Sequence, residues 1–338
     1  MKYWSELTKN LEPYVPGEQP KDRKYIKLNT NENPYPPSPK VLNGIQDSTL
    51  EELRLYPDPE CSDLRAKISE YYKINDNQVF VGNGSDEVLA FSFMAFFNQG
   101  KYVFFPEITY SFYPVYCNLF NLNYHTIALN DDFSINLEDF RNENGGIIIP
   151  NPNAPTGICL SIKEIETILG FNKESVVIID EAYIDFGGKT AISLIDEYSN
   201  LLVVQTFSKS RALAGMRIGL AFGNKSLIEA LNRVKNSFNS YTVDRLAQIA
   251  VINSIDDQEY FISMKKRLIQ TRQKVEESLT KLGFNVLPSS ANFLFISHPD
   301  YYAENVFKWL RQEGILVRYF KQEGIDNFLR VSIGTEKE

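Results

Sequence analysis

LLVVQTFSKSRALAGMRIGLAFG, residues 201–223, reads as two apolar strands separated by a polar turn. Leu201–Gln205 is the first strand, and the second begins at Arg217. Lys209 stands where the first strand runs out into a loop, which in an α/β sheet is where ligands bind. A lone lysine there would be a solvated amine. This one follows Ser208 and precedes Arg217 by eight residues, with the small Ala214-Gly215 pair in between. A hydroxyl and a guanidinium around a lysine suit a phosphate anchored beside a reactive amine.

The 338 residues are enough for one large domain and a smaller one, or for two comparable ones. Hydrophobic residues at 43% and charged ones at 23% are ordinary for a soluble enzyme. A net charge of −8 argues against a nucleic-acid partner, which would call for a basic stripe. No apolar run reaches membrane-spanning length, so no membrane partner is expected. The opening MKYWSELTKNLEPY lacks the apolar centre of a signal peptide. Cys61, Cys117 and Cys159, odd in number and widely spaced, point to free thiols in a reducing compartment. The expectation is a cytoplasmic protein. With only His125 and His298, neither a histidine metal site nor a histidine-based triad is easily built. Catalysis must fall to Lys, Tyr, Asp or Arg, or to a cofactor.

Upstream, LEPYVPGEQP and LNTNENPYPPSP form an extended arm whose Tyr14, Tyr25 and Tyr35 are too aromatic for a disordered tail. Tyr56-Pro57-Asp58-Pro59 is a rigid turn. After it, Ser62-Asp63 is placed to cap a helix with Leu64, Ile68 and Tyr71 on one face. In QVFVGNGSDEVLAFSFMAFF a strand gives way to Gly82–Glu87 and an apolar helix. The free N–H groups and dipole of that helix start make an anion cup of Gly84, Ser85 and Asp86, although Asp86 also reads as a plain capping residue. Tyr110 opens a helix after the Lys101–Phe105 strand, where its face can stack on a planar ring. GIIIP (146–150) runs into NPNAPTGI, and SVVIID (175–180) into EAYIDF. An aspartate at the carboxyl end of such a strand faces the ligand crevice. Beyond residue 226, three helical stretches precede short strands, an α+β pattern. Arg318 and Arg330, on neighbouring strand runs, read either as surface ion-pair residues or as a bidentate grip on a carboxylate or phosphate.

Ser208–Arg217, S-K-x-x-x-L-A-G-x-R, resembles the lysine motif of fold-type I pyridoxal-phosphate (PLP) aminotransferases, in the form typical of the histidinol-phosphate aminotransferase family. Y-P-D-P, D-E-A-Y-x-x-F, S-S-A-N-F-L-F-I, L-V-R and F-L-R-V-S-I-G-T occur in family order, so the resemblance runs from Pro13 to Thr335. It implies an α/β large domain, about Thr49–Ser240, built on a mostly parallel seven-stranded sheet. A small domain would combine residues 1–48 with 241–338.

The resemblance also implies roles. Lys209 would carry PLP and shuttle a proton, Asp180 would pair with the pyridine nitrogen, and Tyr183 would donate to the 3′-oxygen. Ser208, Arg217, Gly84, Ser85 and Asp86 would hold the cofactor, with Tyr110 stacked on its ring. Tyr56 would reach its phosphate across a homodimer interface. Arg318 and Arg330 would meet the substrate, with Tyr14 and Asn33 of the arm beside them. The family pattern N-P-N-N-P-T-G is broken at Ala154, where an asparagine would bond the 3′-oxygen, and Asn153 is the candidate substitute. The implied reaction converts L-histidinol phosphate and 2-oxoglutarate to imidazole-acetol phosphate and glutamate, in histidine biosynthesis. An aromatic amino acid aminotransferase and a threonine-phosphate decarboxylase-like enzyme are the alternatives. A PLP-sensing regulator is disfavoured, because the chain shows neither room nor a basic patch for a DNA-binding module.

Overall fold

Short β-branched runs punctuated by Gly, Pro and Asn alternate with amphipathic stretches, and the backbone follows that punctuation. The computed structural model describes residues 2–48, 50–98 and 100–338, so the expected domain boundary at Thr49 lies outside it. The arm holds α1 (Glu6–Asn10), β1 (Ile26–Lys27) and α2 (Pro39–Gln46); Ser38 caps α2, and proline takes its first position. Then come α3 (Ser62–Tyr72), β2 (Val79–Asn83), α4 (Gly84–Phe96), β3 (Tyr102–Pro106), α5 (Phe112–Leu119), β4 (Asn123–Ile127) and β5 (Gly146–Pro150). They are followed by α6 (Ile162–Phe171), β6 (Val177–Asp180), β7 (Leu201–Thr206) and β8 (Ile218–Gly223).

These strands form a seven-stranded sheet in the order β2-β8-β7-β6-β5-β3-β4. Only β8 runs against its neighbours, β2 and β7; the other pairs are parallel. Parallel strands covered on both faces need apolar residues at every position. GIIIP satisfies that, sending Ile147 and Ile149 into one core and Ile148 into the other. Truncating such an isoleucine to alanine costs about 2–5 kcal/mol. From β3 the chain steps outward to β4, then returns and continues the other way through β5, β6 and β7. That reversal leaves a crevice above the carboxyl ends of the strands.

After β8 follow α7 (Lys225–Phe238), α8 (Arg245–Ile255), α9 (Gln258–Lys281), β9 (Asn285–Val286), β10 (Phe293–Ser297), α10 (Ala303–Gln312), β11 (Ile315–Leu316), β12 (Arg318–Tyr319) and β13 (Leu329–Ser332). An antiparallel sheet, β12-β13-β10-β9, packs Leu294, Ile296 and Leu329 against Leu268 of α9, and β1 pairs with β11. Val243, Ala247, Ala250, Val251 and Ile255, with Val41 of α2, join the core of the large sheet, on the far side of the boundary expected at residue 240. The start of α3 is held by Asp58, whose carboxylate accepts the N–H of Ser62 at 2.7 Å; the turn of Y-P-D-P thus supplies the cap assigned to Ser62-Asp63.

Candidate active site

The carboxyl ends of β5, β6 and β7 open into a cavity of about 260 Å³ whose roof comes from the arm and the antiparallel sheet. One end is a phosphate-sized cup. Gly84, the first residue of α4, takes φ +80°, where a side chain is strained, and a Cβ there would collide with the Arg217 guanidinium. Gly219 on β8 is as tight, because a Cβ would collide with Gly84 and the Ser85 amide. Two missing side chains therefore let strand, helix start and guanidinium close on one another. Ser85, Asp86, Ser208 and Arg217 line this end. Arg217 Nη2 lies 3.1 Å from Asp86 Oδ2, and Thr206 Oγ1 lies 2.9 Å from Ser208 Oγ.

Asp180 ends β6 and forms the floor, 5% exposed. Burial pushes its carboxyl up to about 6; the Tyr113 hydroxyl, donating to Oδ2 at 2.9 Å, and the Ala182 N–H, donating to Oδ1 at 3.2 Å, restrain the rise, and the Asp86 carboxylate adds to it. Among the described residues no cationic side chain pairs with Asp180. Lys209, half-buried at the end of β7, donates from Nζ to the Thr30 carbonyl at 3.2 Å, and this nitrogen lies 5.8 Å from the Tyr183 ring centroid. The Tyr110 hydroxyl donates to Asp86 Oδ1 at 3.0 Å, and its ring meets Tyr113 edge-on at 5.7 Å.

The opposite wall is cationic. Arg318 and Arg330 are partners across β12 and β13, and both line the cavity. Arg330 Nη2 donates to the Asn29 carbonyl at 3.0 Å, and Arg318 Nη2 to the Val15 carbonyl at 3.4 Å. Burial, helped by Arg318, lowers the pKa of Arg330. Tyr14 stacks on Phe112 at 4.6 Å and so brings the arm down onto α5.

Tyr14, Ser85, Asp86, Tyr110, Asp180, Tyr183, Ser208, Lys209, Arg217, Arg318 and Arg330 thus meet in one place, with Gly84 directly behind Arg217. Three expected residues stand outside this wall. Asn33 lies behind Lys209, its Nδ2 donating to the carbonyls of Lys209 and Ser210 at 3.0 and 3.1 Å, so it steadies the lysine turn instead of facing the cavity. Asn153 is buried with its Nδ2 on the Ile108 carbonyl at 2.9 Å, while Ala154 takes the place in the wall. Tyr56 is 78% exposed and stacks on Tyr241 at 4.6 Å.

The sequence profile of the aminotransferase class I and II family matches residues 23–338. The chain belongs to that family. Over 337 residues it is 61% identical to a histidinol-phosphate aminotransferase of Clostridium acetobutylicum, covering all of this chain and 96% of the relative. Among solved structures, the histidinol-phosphate aminotransferase from Clostridium acetobutylicum superposes with a TM-score of 0.85 at 26% identity, covering 92% of this chain and 95% of that one. The histidinol-phosphate aminotransferase from Sinorhizobium meliloti, in complex with pyridoxal-5′-phosphate, gives a TM-score of 0.91 at 22% identity, covering 99% and 94%. At that identity the likeness speaks for the fold.

The donor set of this aminotransferase fits a phosphorylated pyridine. The Gly84–Arg217 cup suits a dianion, and a buried carboxylate without a cation suits a protonated ring nitrogen. Polar atoms also wait without a partner among the described residues: Thr109 Oγ1 in the ring region, and Asn29 Oδ1 and Arg330 Nε at the arginine end. Sequence reading missed the contributions of Asn29, Thr30, Asn31, Thr109 and Tyr113. For Asn29, Thr30, Asn31 and Tyr113 the position depends on contacts across tens or hundreds of residues, and none of these carries a local signal.

Proposed function

We propose that this aminotransferase moves the amino group of L-histidinol phosphate to 2-oxoglutarate, giving imidazole-acetol phosphate and glutamate in histidine biosynthesis, with pyridoxal 5′-phosphate in the cavity. One observation carries the reading: a single cavity has two anion-binding ends, with Lys209 in its wall between arm and sheet. One end, at Gly84, Ser85, Ser208 and Arg217, suits the cofactor phosphate. The other, at Arg318 and Arg330, suits a substrate anion. Names borne by full-length relatives supply the substrate.

When bound, PLP supplies an aldehyde that captures amines and a pyridinium that draws electrons from the substrate's α-carbon. The protein does the rest. Asp180 would hold the ring nitrogen protonated, since a carboxylate buried without a cation is stabilised by gaining one. Tyr110 would cover the ring, and Tyr183 would donate to its hydroxyl oxygen. Lys209 Nζ would take the proton from the substrate's amine-bearing carbon and return it two atoms along, on the far side of the nitrogen. Asn33 and the Thr30 carbonyl keep that amine in place. Arg318 and Arg330 grip the phosphate of the donor and then the far carboxylate of the acceptor, because planar guanidinium forks suit both. Glu32, also in the wall, offers an acceptor to an imidazole N–H.

A second copy of the chain belongs to this reading. Tyr56, Tyr241 and Phe238 are exposed together at one surface, and Tyr56 has no part in the cavity of its own chain, which suits a homodimer with shared sites. The free thiols of Cys61, Cys117 and Cys159 suit the reducing cytoplasm. No helix among the described residues is long and apolar enough to cross a membrane.

Single-turnover kinetics of each half-reaction test the proposal, with histidinol phosphate, histidinol, phenylalanine and glutamate as donors. Histidinol phosphate should react far faster than histidinol. Equal rates would mean that the arginines serve carboxylates only, and the enzyme would be an aromatic aminotransferase. Loss of carbon dioxide without a keto-acid requirement would make it a decarboxylase.

A further inference from the structure

Ala154 packs with Ala291, Phe293 and Tyr183, and its methyl group lines the cavity without donating anything. Asn153 does not replace the missing amide, since its nitrogen is turned to Ile108 and it stands outside the wall. The nearby donor that remains is the Tyr183 hydroxyl. A phenol has one proton, and the direction of that proton depends on what its oxygen accepts. Here the oxygen accepts from Asn31 Nδ2 at 3.0 Å.

An amide can be turned either way, and its neighbours decide which. Ser332 Oγ accepts the backbone N–H of Asn31 at 2.9 Å and donates to Asn31 Oδ1 at 2.8 Å. The carbonyl end is therefore taken, and the NH2 end faces Tyr183. Asn31 is 1% exposed, holds φ +56°, and its own carbonyl accepts from Asn292 Nδ2 at 2.9 Å. No described residue accepts the Tyr183 proton, so it is free for an acceptor in the cavity.

We infer that Asn31 is a positioning residue: it aims the Tyr183 proton at the ring oxygen of the cofactor and so makes good the donor lost at Ala154. This rests on the PLP reading above. It also ties two parts of the site together. Ser332 lies two residues beyond Arg330 on β13 and shares its face, so the strand that presents the arginine also orients the amide that orients the phenol.

Asn31→Asp separates this role from a merely structural one. It keeps the shape and the Ser332 bond but replaces the donor by an acceptor, which draws the phenol proton away from the cavity. Equilibrium PLP retention and the pH titration of the bound cofactor's absorbance are measured for the unmodified protein, Asn31→Asp, Asn31→Ala, Ala154→Asn and the Asn31→Ala/Ala154→Asn double variant. Both Asn31 variants should hold PLP about tenfold more weakly, the worth of one good hydrogen bond. Their absorbance should titrate at higher pH, because the ring oxygen loses a donor to its anionic form. Ala154→Asn should restore both properties in the Asn31→Ala background and change the unmodified protein little. An Asn31→Asp protein that matches the unmodified one in retention and titration overturns the inference. So does a double variant as impaired as Asn31→Ala alone. An unmodified protein that holds no PLP overturns the functional reading and this inference with it.

Discussion

Asp180→Asn exchanges a buried carboxyl for an amide of the same shape in the floor of the cavity. Burial raises the carboxyl from the 3.8 of an ordinary aspartate to about 6. The folded chain therefore holds this proton more tightly than the unfolded chain does. Below about pH 4 both states are protonated and the group is neutral to stability. As pH rises from about 4 to 6 the unfolded chain ionises first, folding stability falls, and the loss is complete above about 6. Roughly two pKa units at about 1.4 kcal/mol each bound that loss at about 3 kcal/mol. Cofactor-free Asp180→Asn should then match the unmodified protein near pH 4 and exceed it by up to about 3 kcal/mol at pH 8. Glu181, which burial pushes up to about 7, is present in both proteins and cancels in the difference. Urea unfolding of both apoproteins between pH 4 and 8 measures it. Adding PLP should reverse the order, since only the aspartate gains from a ring cation. A difference that stays flat across this range, or an asparagine variant that is the less stable at pH 8, would refute the account of Asp180 as an uncompensated buried acid.

Borohydride reduction of the PLP-loaded protein should place the label on Lys209, as peptide mapping would reveal; label on another lysine sinks the central assignment. Gly84→Ala forces a Cβ onto Arg217 at φ +80° and should cost about 1–3 kcal/mol in thermal unfolding, with a loss of PLP retention that Gly100→Ala, in open space, does not share. Arg330→Lys should slow both half-reactions, losing roughly 1.5–3 kcal/mol for each charge-assisted bond removed. Tyr56→Ala should leave monomer stability within about 0.5 kcal/mol, as exposed positions do, yet weaken PLP retention in the assembled protein; unchanged retention would return Tyr56 to being a surface aromatic.

The large sheet was legible because its strands are buried on both faces, and runs such as GIIIP and LLVVQT admit few other readings. Lys209, Asp180 and Gly84 were legible for a related reason, since each sits at a strand end or helix start that the local pattern marks. What the sequence hid are contacts made across long separations. Tyr113 reaches Asp180 from 67 positions away, and Asn31 reaches Tyr183 from 152. Asn33 and Asn153 sat in suggestive motifs, but a motif does not say which way an amide turns, and the carbonyls of Lys209, Ser210 and Ile108 claimed them first. The packing of α8 on the large sheet was not legible, because an apolar helix face does not name the sheet it will cover.

Residues 29–33 touch the site at four points. The Asn29 carbonyl accepts from Arg330, the Thr30 carbonyl from Lys209, the Asn31 amide donates to Tyr183, and the Asn33 amide grips the lysine turn. These contacts fall at 29, 30, 31 and 33 in a stretch that bends at 29 and 30 and takes φ +56° at Asn31, with little chain to spare between them. A single inserted residue would shift later contacts by up to about 3.8 Å, one residue's step along the chain, too far for any hydrogen bond to follow. Lys21–Lys24 just upstream are exposed and can absorb such an insertion. The arm is therefore a ruler over one short interval and a tether before it: substitutions within 29–33 should be graded in effect, while changes of length there should be all or nothing.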